Sequence, residues 1–431
     1  MSELGEAAKF AIRLYRQRAD TALAAYVRRD KLARLQLRPG RVNPYSIYAQ
    51  IRAEGSLLPT RNGGLVTPSH GLCNAVLRDR RFGTMPPEGF RRSEQDNFEA
   101  SFLTQNPPDH TRLRKLALPS FSPKAVATYD QQIRQTVGSL LDSARSAGSF
   151  DLVSSFAATL PIVVITDLLG IPDASAEEFA RHGALVGGAI DGISSLRQAA
   201  ALIAGEAKIR ALFDRLVELR RRQPGEDIVS RLLAAEGDQI QTAELWPLFM
   251  LLLIAGFETT VNLIGNGVLA LLDHPEQWHD LCADPARLAP KAVEETLRFD
   301  PPVQRTGRYA LEDLELHGTA VRKGQEVTTL LGAANRDPEA YDQPDVFNIH
   351  REMTTDHLAF SSGIHYCVGA PLARLEATIA FQLLAERMPG LHRTGPVRRR
   401  NGTGIRGPLH IPVTAGPEPV RPASATPAGR V

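Results

Sequence analysis

Thirteen consecutive residues, Leu245–Phe257 (LWPLFMLLLIAGF), carry no charge, and Glu258 closes the run. A helix that crosses a bilayer needs about 20 apolar residues. The run is too short to span and reads instead as the buried part of a helix, expected over Thr242–Leu272. Further helices are expected at Ser122–Ala147, Ala176–Ala189, Ser195–Gln223 and Pro285–Phe299, with a last major one after Pro371. Strand signals are fewer and shorter: Arg308–Leu316, Glu326–Leu331 and His410–Val413. The expected fold class is mainly α with a small β-rich portion.

No repeat or linker divides the chain. Residues 6–36, rich in Ala, Leu and Arg, read as an amphipathic helical lead-in that Pro39-Gly40 ends. The expected organisation is a lead-in over 1–40, one domain over 41–414 and a disordered Pro/Ala/Gly-rich tail over 415–431.

With 50 Lys plus Arg against 48 Asp plus Glu, the net charge of +2 gives no argument for nucleic-acid binding. The three cysteines, Cys73, Cys282 and Cys367, are too few and scattered for a disulfide framework, which fits a reducing cytoplasm. Residues 1–40 lack the apolar block of a signal peptide. A soluble, cytoplasmic protein is expected, with no membrane span.

Cys367 has the most telling surroundings, Phe360-Ser-Ser-Gly-Ile-His365-Tyr-Cys367-Val-Gly369. Gly363 and Gly369 permit a tight loop close to a flat ligand. Pro371 suits the first turn of the following helix. A sulfur just ahead of that helix is expected to have its thiol pKa lowered by N–H donors and the dipole, with Phe360 as an apolar shield. An inert loop cysteine and a zinc ligand remain open at this point. Zinc wants more Cys or His at short spacing, and only His350 and His357 are near.

Two further patterns stand out. Ala255-Gly256-Phe257-Glu258-Thr259-Thr260 puts acid and hydroxyl groups in an apolar helix, where they are costly unless employed. Ala255 and Thr259 share a face, so the hydroxyl is expected to bond the Ala255 carbonyl and open a groove; a simple kink is the alternative. In Glu295-Thr-Leu-Arg298 the charges meet on one helix face, a weak signal taken alone.

Together, and in this order, these segments resemble the signatures of the cytochromes P-450. FSSGIHYCVG is similar to the haem-binding signature FxxGxHxCxG, with Ser361 where many members have Gly. APLARLEA continues the likeness, AGFETT resembles the oxygen-activation motif, and ETLR resembles ExxR. The resemblance extends from about Asn43 to Val413. It implies the cytochrome P-450 fold and haem b with Cys367 as axial thiolate, whose electron density favours O–O cleavage. It implies that Thr259 steers protons to oxygen, that Glu258 feeds it, and that Ala255 and Gly256 form the groove. Glu295 and Arg298, completed by Arg351, are implied as a buried structural network. His110, Arg114, Arg308 and His365 are candidates to hold the haem propionates, with Phe360 and Gly369 also against the cofactor. The pocket is implied around Thr84–Asn106 and elsewhere, with Met85, Phe90, Phe98, Leu252, Val303 and Ile405 as lining; Gly183, Gly187, Gly188 and Gly192 would loosen its lid.

The expected function is a monooxygenase that uses O2 and two electrons to hydroxylate, epoxidise or demethylate a lipophilic small molecule. Ferredoxin and its reductase are the implied electron source; Arg112 and Lys115 are candidates to attract an acidic ferredoxin, with ordinary solvated surface charge as the more common alternative. A peroxide-driven peroxygenase and a non-catalytic haem or ligand carrier are the alternatives; the acid–alcohol pair Glu258/Thr259 argues against both.

Overall fold

A computed structural model describes residues 3–90, 101–172, 178–179, 181–183, 186, 195–400 and 402–416, and the structural statements below concern those residues. The central helix runs Thr242–Asp273, close to its expected span. Its start is closed reciprocally: Gln241 N–H donates to Glu244 at 2.8 Å, and the Gln241 side chain accepts from the Glu244 N–H. By length and apolarity this helix qualifies to cross a membrane, but 83% of its most apolar window is covered by protein. Between Leu245 and Leu271 the residues left incompletely buried are Pro247, Ala255, Gly256 and Thr259.

Helices Thr159–Leu169, Pro285–Phe299 (the ion-pair helix) and Ala370–Arg387 (the cysteine helix) pack on the central helix. Gly256 makes the first of these crossings possible, because a Cβ there would lie 2.6 Å from Ile165 Cδ1. A five-stranded mixed sheet stands to one side, in the order Leu58–Pro59, Leu65–Thr67, Glu326–Thr329, Thr306–Ala310, Phe82–Gly83. Smaller pairs include the hairpin Arg398–Arg399/Pro408–His410.

Several boundaries differ from expectation. The lead-in breaks into helices Glu3–Tyr26, Lys31–Leu35 and Arg38–Val42. Pro39-Gly40 lies inside the third rather than ending the first, since proline is tolerated in a first turn. The break falls at Arg29, at φ +53°, and Asp30, whose carboxylate accepts from Leu32 N–H at 2.9 Å. Ser122–Ala147 is two helices, Pro123–Ala127 and Asp130–Ala147. Thr128 Oγ1 donates to the Ala125 carbonyl at 2.6 Å where they part. The expected strand Arg308–Leu316 is split into Thr306–Ala310 and Leu314–Leu316; Glu326–Leu331 stops at Thr329, and His410–Val413 divides between two sheets. Most of the expected helix Ala176–Ala189 and the tail from residue 417 lie outside the described residues.

Candidate active site

The cysteine loop is shaped by two residues of left-handed backbone. Gly363 has φ +68°, and a Cβ there would run into the Leu77 carbonyl. Ser361 has φ +63°, and its buried hydroxyl has no hydrogen-bond partner. The departure from Gly at 361 is therefore not neutral: it places an L side chain where glycine is preferred. Cys367 N–H donates to the Phe360 carbonyl at 2.9 Å and closes the loop, and the cysteine helix begins at Ala370. Burial pushes the Cys367 thiol up; the Gly369 and Ala370 N–H groups, Arg114 and Arg374 pull it down without overcoming that. The lowering expected from the helix start alone is thus outweighed, and a cation at the sulfur is what would hold it deprotonated. The Phe360 ring lies beneath the Arg374 guanidinium, 4.6 Å from its centre, with Tyr366 and His357 alongside.

The expected back-bond in the central helix is present: Thr259 Oγ1 donates to the Ala255 carbonyl at 3.0 Å. Ala255 is exposed, although Ile254, Phe257 and Glu258 around it are buried. An open stretch of small residues in the middle of a core helix is a surface made to receive something. Glu258 turns the other way and is ion-paired with Arg400 beside the hairpin.

His110, Arg114, Arg308 and His365 converge. The rings of His110 and His365 are 4.2 Å apart. Arg114 Nη2 donates to the Tyr366 carbonyl at 2.5 Å. Arg308 is buried with its Nη1 on Thr306 Oγ1 at 3.2 Å and the Gly307 carbonyl at 2.8 Å. Both ring nitrogens of His110 and Nε2 of His365 lack hydrogen-bond partners. Burial, then Arg308, His110 and Arg114, push His365 down to about 2. Burial, then Arg114, lower His110, and burial brings Arg308 down to about 10. Among the described residues no carboxylate answers the two guanidiniums, and burial beside them disfavours charge on the two imidazoles. The cluster fits the propionates of a haem: a buried, mutually repelling set of donors calls for an anion.

The ion-pair network is assembled as expected. Arg298 donates to Glu295 through Nε at 2.8 Å and Nη2 at 2.7 Å, with both side chains fully buried. Arg351 Nε lies 3.3 Å from Glu295 Oε2, and Asn348 N–H donates to Glu295 at 2.8 Å. Sequence reasoning missed the neighbouring cluster in which Glu294 accepts from Arg374 at 2.6 Å and lies 3.1 Å from His357 Nε2. Arg374 sits within the quoted APLARLEA segment, so the signal was there; Arg400, in a plain run of three arginines, carried none.

The pocket candidates separate. Val303 and Ile405 meet as an antiparallel bridge, and Leu252 is buried on the central helix. Met85, half-exposed, is held through its backbone by the Asn106 side chain. Phe90 is exposed and lies against Gly324, at the turn leading into strand Glu326–Thr329. Phe98, Gly187, Gly188 and Gly192 lie outside the described residues. Arg112 is not free for a partner protein: it is bonded to Glu244 at 2.7 and 2.9 Å and to Asp109 at 2.8 Å.

The cytochrome P450 family profile matches residues 286–387. The chain is 39% identical over 386 residues to the biotin biosynthesis cytochrome P450 of Bacillus subtilis (strain 168), across 86% of this chain and 96% of that one. It is 38% identical to the cytochrome P450 monooxygenase PikC of Streptomyces venezuelae, across 81% of this chain and 85% of that one. The crystal structure of P450BioI with an acyl carrier protein bearing hexadec-9Z-enoic acid superposes with a TM-score of 0.79 at 38% identity, covering 86% of this chain and 98% of that one. Ligand-free CYP164A2 of Mycobacterium smegmatis superposes with a TM-score of 0.81 at 38% identity, covering 89% and 99%. Sequence and fold thus agree along nearly the whole length of these relatives, and the chain belongs to the cytochrome P450 family, as a monooxygenase that uses haem b with a cysteine thiolate ligand and acts on a lipophilic small molecule.

Proposed function

We propose that Cys367 supplies that thiolate, that His110, Arg114, Arg308 and His365 hold the propionates, and that Ala255, Gly256, Glu258 and Thr259 serve the oxygen side. The observation that carries this reading is the cluster of two guanidiniums and two imidazoles with unpartnered nitrogens, with no carboxylate among the described residues, beside the half-buried Cys367. Bound there, haem supplies oxygen activation, with electron density pushed from the sulfur. The Gly369 and Ala370 N–H groups steady negative charge on the sulfur. The Thr259 hydroxyl rests on the Ala255 carbonyl, from which it can swing to donate a proton into the open stretch. Glu258, one residue earlier, is the acid that replaces that proton. Glu295, Arg298 and Arg351 take no part in the chemistry; they bind segment 335–351 to the ion-pair helix. Val303, Ile405, Leu252 and Met85 are assigned to the substrate pocket.

The relative named for biotin biosynthesis supports a biosynthetic role. The electron source is a ferredoxin with its reductase, and the protein works in the cytoplasm. With Arg112 engaged by Glu244, the docking face for an acidic ferredoxin falls to Lys115, with Ile364 and Tyr366 exposed beside the cysteine. The retained Glu258/Thr259 pair favours the O2-driven reaction over a peroxide-driven one.

Titrating haem into apoprotein tests the cofactor assignment. Arg308→Ala and His110→Ala are expected to loosen haem retention while leaving the apoprotein folded. Retention equal to wild type in both contradicts the propionate roles.

A further inference from the structure

Between helix Tyr45–Arg52, the end of the ion-pair helix and the hairpin Arg398–Arg399/Pro408–His410 lies an open pocket of about 540 Å³. That is room for a small organic molecule, since ligand sites commonly span about 300–1,000 Å³. None of its lining residues belongs to the haem, oxygen or substrate sets. Its most buried lining is Asp300, Arg399 and Arg406, and its exposed lining includes Val42, Ser46 and Ala49.

Among the described lining residues, three guanidiniums, Arg336, Arg399 and Arg406, meet two carboxylates, Asp300 and Asp345. Arg336 and Arg406 are answered. Arg336 lies between the rings of Tyr45 and Phe299, 3.5 and 3.7 Å from their centres, and donates to Asp345 at 3.2 Å. Arg406 donates to Asp300 Oδ1 at 2.6 Å, and the Tyr45 hydroxyl donates to the same oxygen at 2.5 Å. Arg399 is left over. Its Nη1 is 3.8 Å from Asp300 Oδ2, beyond hydrogen-bond reach, and is buried without a partner. Asp273, the next carboxylate it feels, is already paired with Arg393 at 2.9 Å. Burial, and then Arg406, pull Arg399 down from its ordinary value, as befits a cation short of counter-charge. A guanidinium nonetheless stays charged, so the pocket carries one positive charge in excess.

We propose that this pocket is a second small-molecule site, which binds a monocarboxylate with an apolar or aromatic body. The carboxylate pairs with Arg399, where a charge-assisted hydrogen bond is open to it. One negative charge balances the surplus, whereas a phosphate dianion overshoots it beside Asp300 and Asp345. The start of helix Tyr45–Arg52, which supplies Tyr45 and Ser46, adds the positive end of its dipole. The body of the ligand lies along Val42 and Ala49. The buried wall is held in place without a ligand. Arg406 N–H donates to the Pro302 carbonyl at 2.7 Å, and Asn266 Nδ2 donates to the Arg406 and Asp300 carbonyls at 3.1 and 3.0 Å. The site is therefore preformed, and binding needs no rearrangement of that wall.

Calorimetric titration of the haem-loaded protein with phenylacetate tests this, comparing wild type, Arg399→Gln and Ser46→Glu. Wild type should bind the probe at millimolar concentration or below. Arg399→Gln removes the cation, and Ser46→Glu sets a like charge at the exposed rim; each should weaken binding by about tenfold or more. Phenylacetamide, of the same shape without the charge, should bind wild type about tenfold or more weaker than phenylacetate. Phenyl phosphate should bind no tighter than phenylacetate. No binding of phenylacetate to wild type overturns the site. So does wild-type affinity in either variant, because a probe seated elsewhere, in the substrate pocket above all, is indifferent to both changes. Equal binding of the amide overturns the role of charge, and tighter binding of the phosphate overturns the choice of a monocarboxylate. Should Arg399→Gln fold poorly, Ser46→Glu decides alone, since Ser46 is exposed and glutamate suits the first turn of a helix.

Discussion

Arg298 Nη2 meets Glu295 Oε1 at 2.7 Å with neither side chain reaching solvent, and the guanidinium also donates to the carbonyls of Asn335, Pro344 and Val346. Removing one partner strands a buried charge and several carbonyls. Arg298→Ala or Glu295→Ala should therefore cost about 3–5 kcal/mol and be seen as lost haem content and a lower denaturant midpoint. Arg298→Lys should cost nearly as much, because an ammonium cannot replace the bidentate fork.

Ser361 at φ +63° is the opposite case, a position where the present residue is the strained one. Ser361→Gly should stabilise the folded protein by about 1 kcal/mol, the relieved backbone outweighing the extra freedom of an unfolded glycine. Its hydroxyl makes no hydrogen bond that would be lost. Thermal unfolding measures this, and a lower melting temperature for the glycine variant would contradict it.

Glu294 gives the molecule an acid-sensitive contact. Burial alone would raise its carboxyl, but hydrogen bonds from His357 and Arg374 bring it down to about 2 from an ordinary 4.5. A carboxyl depressed in the folded state contributes stability that is complete above about 4.5 and lost as the pH falls through about 2. Glu294→Gln should be less stable than wild type at neutral pH, and the gap should close across that window. Partial exposure of Glu294 and Arg374 keeps the effect smaller than for a fully buried pair. A gap that stays constant from neutral pH to pH about 2 would remove the assigned cause.

These sites differ in how far they could be read from the chain. The central helix, the Thr259 back-bond and the Glu295–Arg298 pair depend on residues three or four apart, where helix geometry settles the contact. The convergence of His110 and Arg114 with Arg308 and His365 was legible only through resemblance, because nothing local links residue 110 to residue 308. Glu258–Arg400 and Glu294–Arg374 join segments far apart in sequence, and a charged residue in a run gives no sign of its partner. Arg112 was misjudged for the same reason: its partner Glu244 belongs to the cap of a distant helix. Boundaries slipped where side chains compete for the backbone, as at Asp30 and Thr128.

Thr259→Ala removes the hydroxyl from the open stretch without emptying the core. Electron consumption should continue while product per electron falls several-fold and peroxide appears in its place. Coupling equal to wild type would exclude Thr259 from proton delivery.

Cys367 is the residue proposed to carry the iron. The reduced, carbon monoxide-bound absorption spectrum tests it most directly, compared between wild type and Cys367→His. Wild type should show the long-wavelength band of a thiolate-ligated haem, and the histidine variant, still binding haem through His110, Arg114, Arg308 and His365, should lose it to the shorter-wavelength band of a nitrogen-ligated haem. A thiolate band that persists in Cys367→His would contradict the assignment and return Cys73 and Cys282 to consideration.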